Sequence, residues 1–275
     1  MLLPVLALAV AGAAVALTVA LRTDGGLPTA AVASPEASAT PLREAARPKL
    51  KPGQTVCQGV LHVPEKDQPR TFADVYTHIE DAQGIAVVGG GAVPQEAFDV
   101  ARRTVRRMLA NSELLAPLVE QGAYVIIVDR GKGVLDLPEF ACLEGQLGLA
   151  FFDHVCGIAD RADYPVVTVN TSDLLGERSG PCGGLNILYH ELGHLVQGWA
   201  IAPADYFDVK QYYQDAISAG KYRKLYASTN PNEYFAEGTQ AYFDDADLER
   251  TRDRAWLRTY DPQLYALLER VYGGR

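Results

Sequence analysis

Asn186-Ile187-Leu188-Tyr189-His190-Glu191-Leu192-Gly193-His194-Leu195-Val196 is the stretch on which the reading of this chain turns. Leu185, Leu188, Leu192, Leu195, Val196 and Trp199 recur at helical spacing and predict a buried helix. On such a helix His190 and His194 lie on one face, one turn apart. Two imidazoles so placed can converge on one Zn²⁺ and leave positions for a third ligand and a water. Glu191, the next residue along, can reach that water as a general base. Gly193 is costly inside a helix, and its presence predicts that another element packs closely there.

A catalytic zinc usually takes three protein ligands. His62, His78 and His154 all precede the motif and show no helical pairing with it. Gln197 and Ala200 stand where a longer histidine motif would continue, so the third ligand has to be a carboxylate. The best source is Asn230-Pro231-Asn232-Glu233-Tyr234-Phe235-Ala236-Glu237, continuing to Phe243. Asn230-Pro231-Asn232 predicts a helix start, with Asn232 as cap. Glu233 and Glu237 then share one face. One of them can ligate the metal while the other accepts the outer N–H of a ligating histidine. The spacing alone leaves open which does which.

The pairing of His190-Glu191-Leu192-Gly193-His194 with Glu233-Tyr234-Phe235-Ala236-Glu237 resembles the gluzincins. In particular it is similar to the catalytic domain of anthrax lethal factor and the bacterial lethal-factor-like metallopeptidases. That resemblance implies Glu233 as third zinc ligand and Glu237 as the partner of a ligating histidine. It also implies a tyrosine seven residues before the ligand that faces the scissile carbonyl; here that is Tyr226, with Tyr222 and Tyr234 as nearby competitors. The segment Leu257 to Tyr265 looks like the C-terminal helix of the same domains. The resemblance runs from about Gly84 to the C-terminus and is sharp over the two zinc-site segments.

The rest of the chain sets the context. Its 275 residues carry a net charge of −9, which disfavours nucleic acid as a partner. Arg102, Arg103, Arg106 and Arg107 sit opposite Phe98, Ala101, Val105 and Met108, as expected of the solvated face of a helix. Leu2 to Leu21 is apolar apart from Thr18, so residues 1–24 read as a signal peptide or a membrane anchor. Residues 25–54 hold Pro28, Pro35, Pro41, Pro48 and Pro52 among Ala, Ser and Thr, the composition of an extended tether. Residues 55–275 remain for one domain. Cys57, Cys142, Cys156 and Cys182 are even in number and lack metal-ligand spacing. Two disulfides and an oxidising compartment follow, extracellular or in the cell envelope. Sequence proximity favours Cys142–Cys156, with Cys57–Cys182 as the second bridge. Asn170-Thr171-Ser172 is a formal glycosylation sequon.

Strands are expected at Val60–Val63, Phe72–Ile79, Gly84–Val88, Ala123–Val128 and Val166–Val169. Helices are expected at Pro94–Asn111, Glu113–Gln121, over the motif, and near Asp205–Ser218, Asn232–Asp244 and Pro262–Tyr272. This order predicts an α+β, zincin-like domain in which a small mixed sheet packs on the motif helix. The functional expectation is an exported, monomeric, zinc-dependent endopeptidase acting on peptide or protein substrates. Val166–Val169 is expected to receive an extended peptide by edge pairing. The alternatives are a zinc-retaining but inactive binding module and a structural cell-envelope domain.

Overall fold

The computed structural model describes residues 76–137, 139–140, 155–159, 165–243 and 251–273. The anchor or signal segment, the tether, the strand expected at Val60–Val63, His62, His154, Cys57 and Cys142 lie outside these residues. Among the described residues no helix is long and apolar enough to cross a membrane.

The described chain is α+β, with a mixed four-stranded sheet in the order β1-β2-β3-β4. β1 (His78–Ala82) and β2 (Ile85–Gly89) form an antiparallel hairpin with Ala82 opposite Ile85. Its two turn residues, Gln83 and Gly84, have φ of 60° and 89°, the left-handed pair that a two-residue hairpin of this twist requires. The chain then crosses over through α1 (Gln95–Met108) and α2 (Ser112–Glu120) to β3 (Tyr124–Val128), which lies parallel to β2. β4 (Val166–Asn170) adds parallel to β3. A short α3 (Thr171–Leu174) leads towards α4 (Leu188–Trp199), the motif helix. There follow α5 (Pro203–Ser218), α6 (Pro231–Phe243), α7 (Arg254–Tyr260) and α8 (Pro262–Tyr272).

β3 is buried along its whole length, which explains its unbroken apolar sequence. By the two-residue pleat, Val125 and Ile127 enter the main core with α1, α4, α6 and α8. Tyr124, Ile126 and Val128 enter a smaller core with Tyr76, Val134 and Phe140 on the opposite face. There the buried Glu139 carboxylate accepts from the Tyr76 hydroxyl at 2.7 and 2.8 Å and from Tyr124 at 2.9 Å. The arginines of α1 do form its outer face. Arg102 pairs with Glu80, and Arg107 reaches the Tyr189 hydroxyl at 3.4 Å.

Four expectations need correction. Among the described residues the first strand is His78–Ala82, so of the expected Phe72–Ile79 strand Tyr76 and Thr77 fall before it and residues 72–75 lie outside the described residues; the hairpin turn at Gln83-Gly84 sets its register. Cys156 is bonded to Cys182, not to Cys142. Proximity in sequence was the wrong guide, because the sheet brings segment 155–159 beside the loop that enters α4. Third, β4 does not offer its outer edge. Segment 155–159 already lies antiparallel to it, with Ala159 opposite Val167 and the Thr168 N–H donating to the Ile158 carbonyl at 2.8 Å. Finally, Asn230 and not Asn232 caps α6, its side chain accepting from the backbone N–H groups of Asn232 at 2.8 Å and Glu233 at 3.0 Å. Pro231, which has no N–H to leave unpaired, takes the first helical position.

Asn170 is buried and its side chain is occupied. It accepts from Ser172 N at 2.9 Å, capping α3, and donates to the Lys132 carbonyl at 3.3 Å. The sequon is therefore a helix cap in this fold.

Candidate metal centre

Among the described residues α4 and α6 are the most extensively packed pair of elements, and Gly193 is where they meet. A side-chain carbon there would lie 3.2 Å from Thr239 Cβ and 3.3 Å from the Ala236 Cα. The Gln240 side chain donates to the Asn186 carbonyl at 2.9 Å and ties α6 to the entry of α4. The entry itself is fixed by Asp173, a buried carboxylate that the sequence reading did not single out. It accepts from the backbone N–H groups of Cys182 at 3.0 Å and Gly184 at 2.9 Å. Burial pushes the Asp173 pKa up, and those N–H groups pull against the shift. The Cys156–Cys182 bridge then links this loop to segment 155–159.

With the helices so close, His190, His194 and Glu233 converge. His190 Nε2 and His194 Nε2 are each 3.2 Å from Glu233 Oε2, and the two nitrogens are 3.1 Å apart. All three side chains are buried. Donors on a tetrahedral ion with bonds of about 2.0–2.1 Å stand roughly 3.4 Å apart, so this triangle fits a metal ion with little adjustment. Two imidazole nitrogens and a carboxylate facing one point out of water suit a shared cation. This group can bind a metal ion.

Glu237, one turn beyond Glu233, puts Oε1 3.3 Å from His190 Nδ1 and orients that ring. Glu191 is buried with Oε1 lacking a partner, as are Glu233 Oε1 and the Tyr226 hydroxyl. Buried polar atoms left without partners are costly, and here they gather around one set of ligands. Burial pushes Glu191 up to about 8; the charge of His190 lowers it and that of Glu233 raises it further. Desolvation presses His190 down, but Glu233 and Glu237 outweigh it and hold the ring at about 10. Glu233 itself is driven well below the usual carboxylate range: burial opposes this, and the charge of His194 with the bonds to both rings prevails.

The tyrosines separate cleanly. The Tyr222 and Tyr234 hydroxyls both donate to Asp261 Oδ2, at 3.1 and 2.8 Å. Tyr226 is the one beside the cluster, its ring 6.1 Å from that of His190. Burial first, then the charge of Glu233, holds its hydroxyl protonated well above the ordinary phenol range. His78 takes no part; it meets Glu80 at 3.2 Å and stacks on Phe98.

Segment 155–159 was also missed. Gly157 sits against α4, where a side-chain carbon would collide with the Thr168 carbonyl oxygen and lie 2.7 Å from Ile187 Cδ1 and 3.3 Å from Glu191 Cγ. Its signal in the sequence was the glycine between Cys156 and Ile158, a mark of close backbone approach.

Two histidines and a glutamate buried on a crossed helix pair beside a small mixed sheet define an α+β protein with a group that can bind a metal ion. The family described as anthrax toxin lethal factor, N- and C-terminal domain, matches residues 92–271, about two thirds of the chain, and the chain belongs to it. Among curated proteins no sequence matches.

Proposed function

We propose that this chain is a zinc-dependent endopeptidase of zincin-like, gluzincin type. The observation that carries the reading is the arrangement of Glu191 and Tyr226 around the three converging donors. A binding module needs the donors but has no use for a buried carboxylate oxygen without a partner and a buried hydroxyl directed to the ligand Glu233 beside them.

In this reading His190, His194 and Glu233 hold zinc, which supplies a Lewis acid that acidifies water and polarises a carbonyl. Glu191 takes the proton of the attacking water and passes it to the leaving amine. Its burial suits this task, because a carboxyl drawn towards neutral pH can both accept and return a proton. Tyr226, kept protonated, donates to the oxyanion that forms on attack. Glu237 holds the His190 ring in place. An extended peptide adds along segment 155–159. The Ile158 and Cys156 carbonyls accept from the Thr168 and Asn170 N–H groups of β4, so by the alternation of an antiparallel strand Gly157 directs its own N–H and C=O the other way.

The apolar run at residues 2–21 and the Cys156–Cys182 bridge support a site of action outside the cytoplasmic membrane, secreted or anchored. The acidic net charge argues against nucleic acid as a partner. The test is metal analysis of the purified protein beside cleavage of a peptide library with and without a chelator. Bound zinc with chelator-sensitive cleavage is the expected result. Zinc without cleavage would make the protein a binding module.

A further inference from the structure

We propose that Tyr222 and Asp261 are positioning residues for Tyr226, holding the loop that delivers it to the metal centre. The inference rests on the peptidase reading, because it concerns the hydroxyl assigned there to the oxyanion.

After α5 ends at Ser218, seven residues lead to the short helical turn Tyr226–Ser228. Two of them, Tyr222 and Lys224, hold φ of 57° and 61°. Neither is glycine, and such a path persists only where the surroundings impose it. The imposing group is Asp261, a buried carboxylate at the corner between α7 and α8. Asp261 Oδ2 accepts from the Tyr222 hydroxyl at 3.1 Å and from Tyr234 at 2.8 Å, and Lys221 Nζ lies 3.5 Å from Oδ1. The backbone N–H of Tyr222 donates to the Tyr260 hydroxyl at 2.8 Å. The loop is thus pinned at one residue by its side chain and its main chain together.

The Tyr222 ring also packs edge-on against Trp256 and Tyr260 of α7, at 6.2 and 5.2 Å between centroids, contacts that a phenylalanine ring would keep. A small recess of about 20 Å³ lies beside it, between Leu225 and Ala227 of the loop, Gly238 and Ala241 of α6, and Trp256 of α7. Beyond the turn, the Tyr213 hydroxyl fixes the Ser228 carbonyl at 2.9 Å. The Tyr226 hydroxyl makes no hydrogen bond of ordinary geometry and interacts with the Glu233 carboxylate of the centre itself, so its place rests on the backbone on either side. Loosening Tyr222 displaces the Tyr226 hydroxyl without touching a metal ligand. A shift of 1 Å in a catalytic group can cost about a hundredfold in rate.

The experiment uses the full chain with Tyr222→Phe, which removes one hydroxyl and keeps the ring. In zinc-loaded protein kcat should fall about tenfold, with KM and zinc content within about twofold of wild type. In a Tyr226→Phe background the same change should add less than about twofold, since the group it positions is already gone. Amide exchange of residues 221–229 should quicken, with and without zinc, while α4 and α6 keep their protection. Asp261→Asn should reproduce the pattern. An unchanged kcat, an equal loss in the Tyr226→Phe background, or faster exchange throughout α6 and α8 would each overturn the positioning role. If the wild-type protein cleaves no peptide, the peptidase reading falls. Unchanged exchange at 221–229 in Tyr222→Phe overturns the positioning role by itself.

Discussion

Gly193→Ala sets helix propensity against the crossing of α4 and α6. Removing a mid-helix glycine favours α4 by about 1 kcal/mol. Against this, the new methyl would lie 3.2 Å from Thr239 Cβ, 3.3 Å from Thr239 Oγ1 and 3.3 Å from Ala236 Cα. Ordinary carbon–carbon contact begins at about 3.5 Å, so something must yield by a few tenths of an ångström. Ala236 presents backbone and cannot turn aside. Thr239 is fully buried, and its hydroxyl is 3.2 Å from that of Tyr272, so rotating it breaks a buried hydrogen bond. The helices therefore part. Overpacking of this kind costs about 1–3 kcal/mol, which leaves a net loss of roughly 0–2 kcal/mol. At about 2–4 °C per kcal/mol for a chain of this size, Tm falls by up to roughly 8 °C. Metal binding suffers more. The histidines ride on α4 and Glu233 on α6, so separation opens the two 3.2 Å gaps directly. Coordination distances tolerate only about 0.2 Å of error. Zinc affinity should fall about 10–100-fold, the range seen when a ligand's support is removed. Calorimetric melting beside chelator competition measures both quantities. A Gly193→Ala protein that melts higher and binds zinc as wild type would refute the crossing as what sets the site.

Glu233→Ala should strip the metal, whereas Glu237→Ala should weaken binding only about 10–100-fold, as read by metal analysis after dialysis; reversed losses would exchange the two roles. Tyr226→Phe should keep zinc and Tm while lowering kcat roughly 10²–10³-fold with little change in KM; loss of zinc or unfolding would remove it from the chemistry. His190 at about 10 and Glu191 at about 8 are both raised, so without metal their contribution to stability is full at low pH and is lost as pH climbs through those values. Zinc must displace protons from the same cluster, so its affinity rises over that range. The gap in Tm between zinc-loaded and chelated protein should therefore widen from about pH 6 to pH 9; a narrowing gap would contradict the assignment of the ligands.

The site was legible where chemistry follows from spacing along one helix. His190 and His194, and likewise Glu233 and Glu237, are one turn apart, and each pair came out on one face as read. Gly193 announced a close helix crossing and marks one. Spacing could not rank Glu233 above Glu237, since that depends on how far α6 leans over α4. Nor could it choose among Tyr222, Tyr226 and Tyr234, which Asp261 sorts through contacts 27 and 39 residues apart in sequence. β2, β3 and β4 were visible because burial on both faces leaves an apolar run, while β1 alternates with exposed charge and was misplaced. α7 was not seen as a separate helix, and the segment Leu257–Tyr265 spans its end and the start of α8: α7 has seven residues and buries only Leu257, too little to show a period, although Asp253 caps it by accepting from Trp256 N at 2.8 Å. The disulfide and segment 155–159 were out of reach because both depend on how β4 is covered. That covering is a tertiary pairing with no local signal beyond Gly157.

The central claim is that the buried donors serve peptide hydrolysis with Glu191 as the base. Glu191→Gln tests it most directly, because the amide keeps the size of the side chain and cannot take a proton. Zinc content and peptide turnover are measured on the same preparation as wild type. Full zinc occupancy, chelator-sensitive cleavage by wild type, and turnover by the variant at least about a hundredfold lower are expected. Near-normal turnover by Glu191→Gln, or its loss together with the metal, would contradict it.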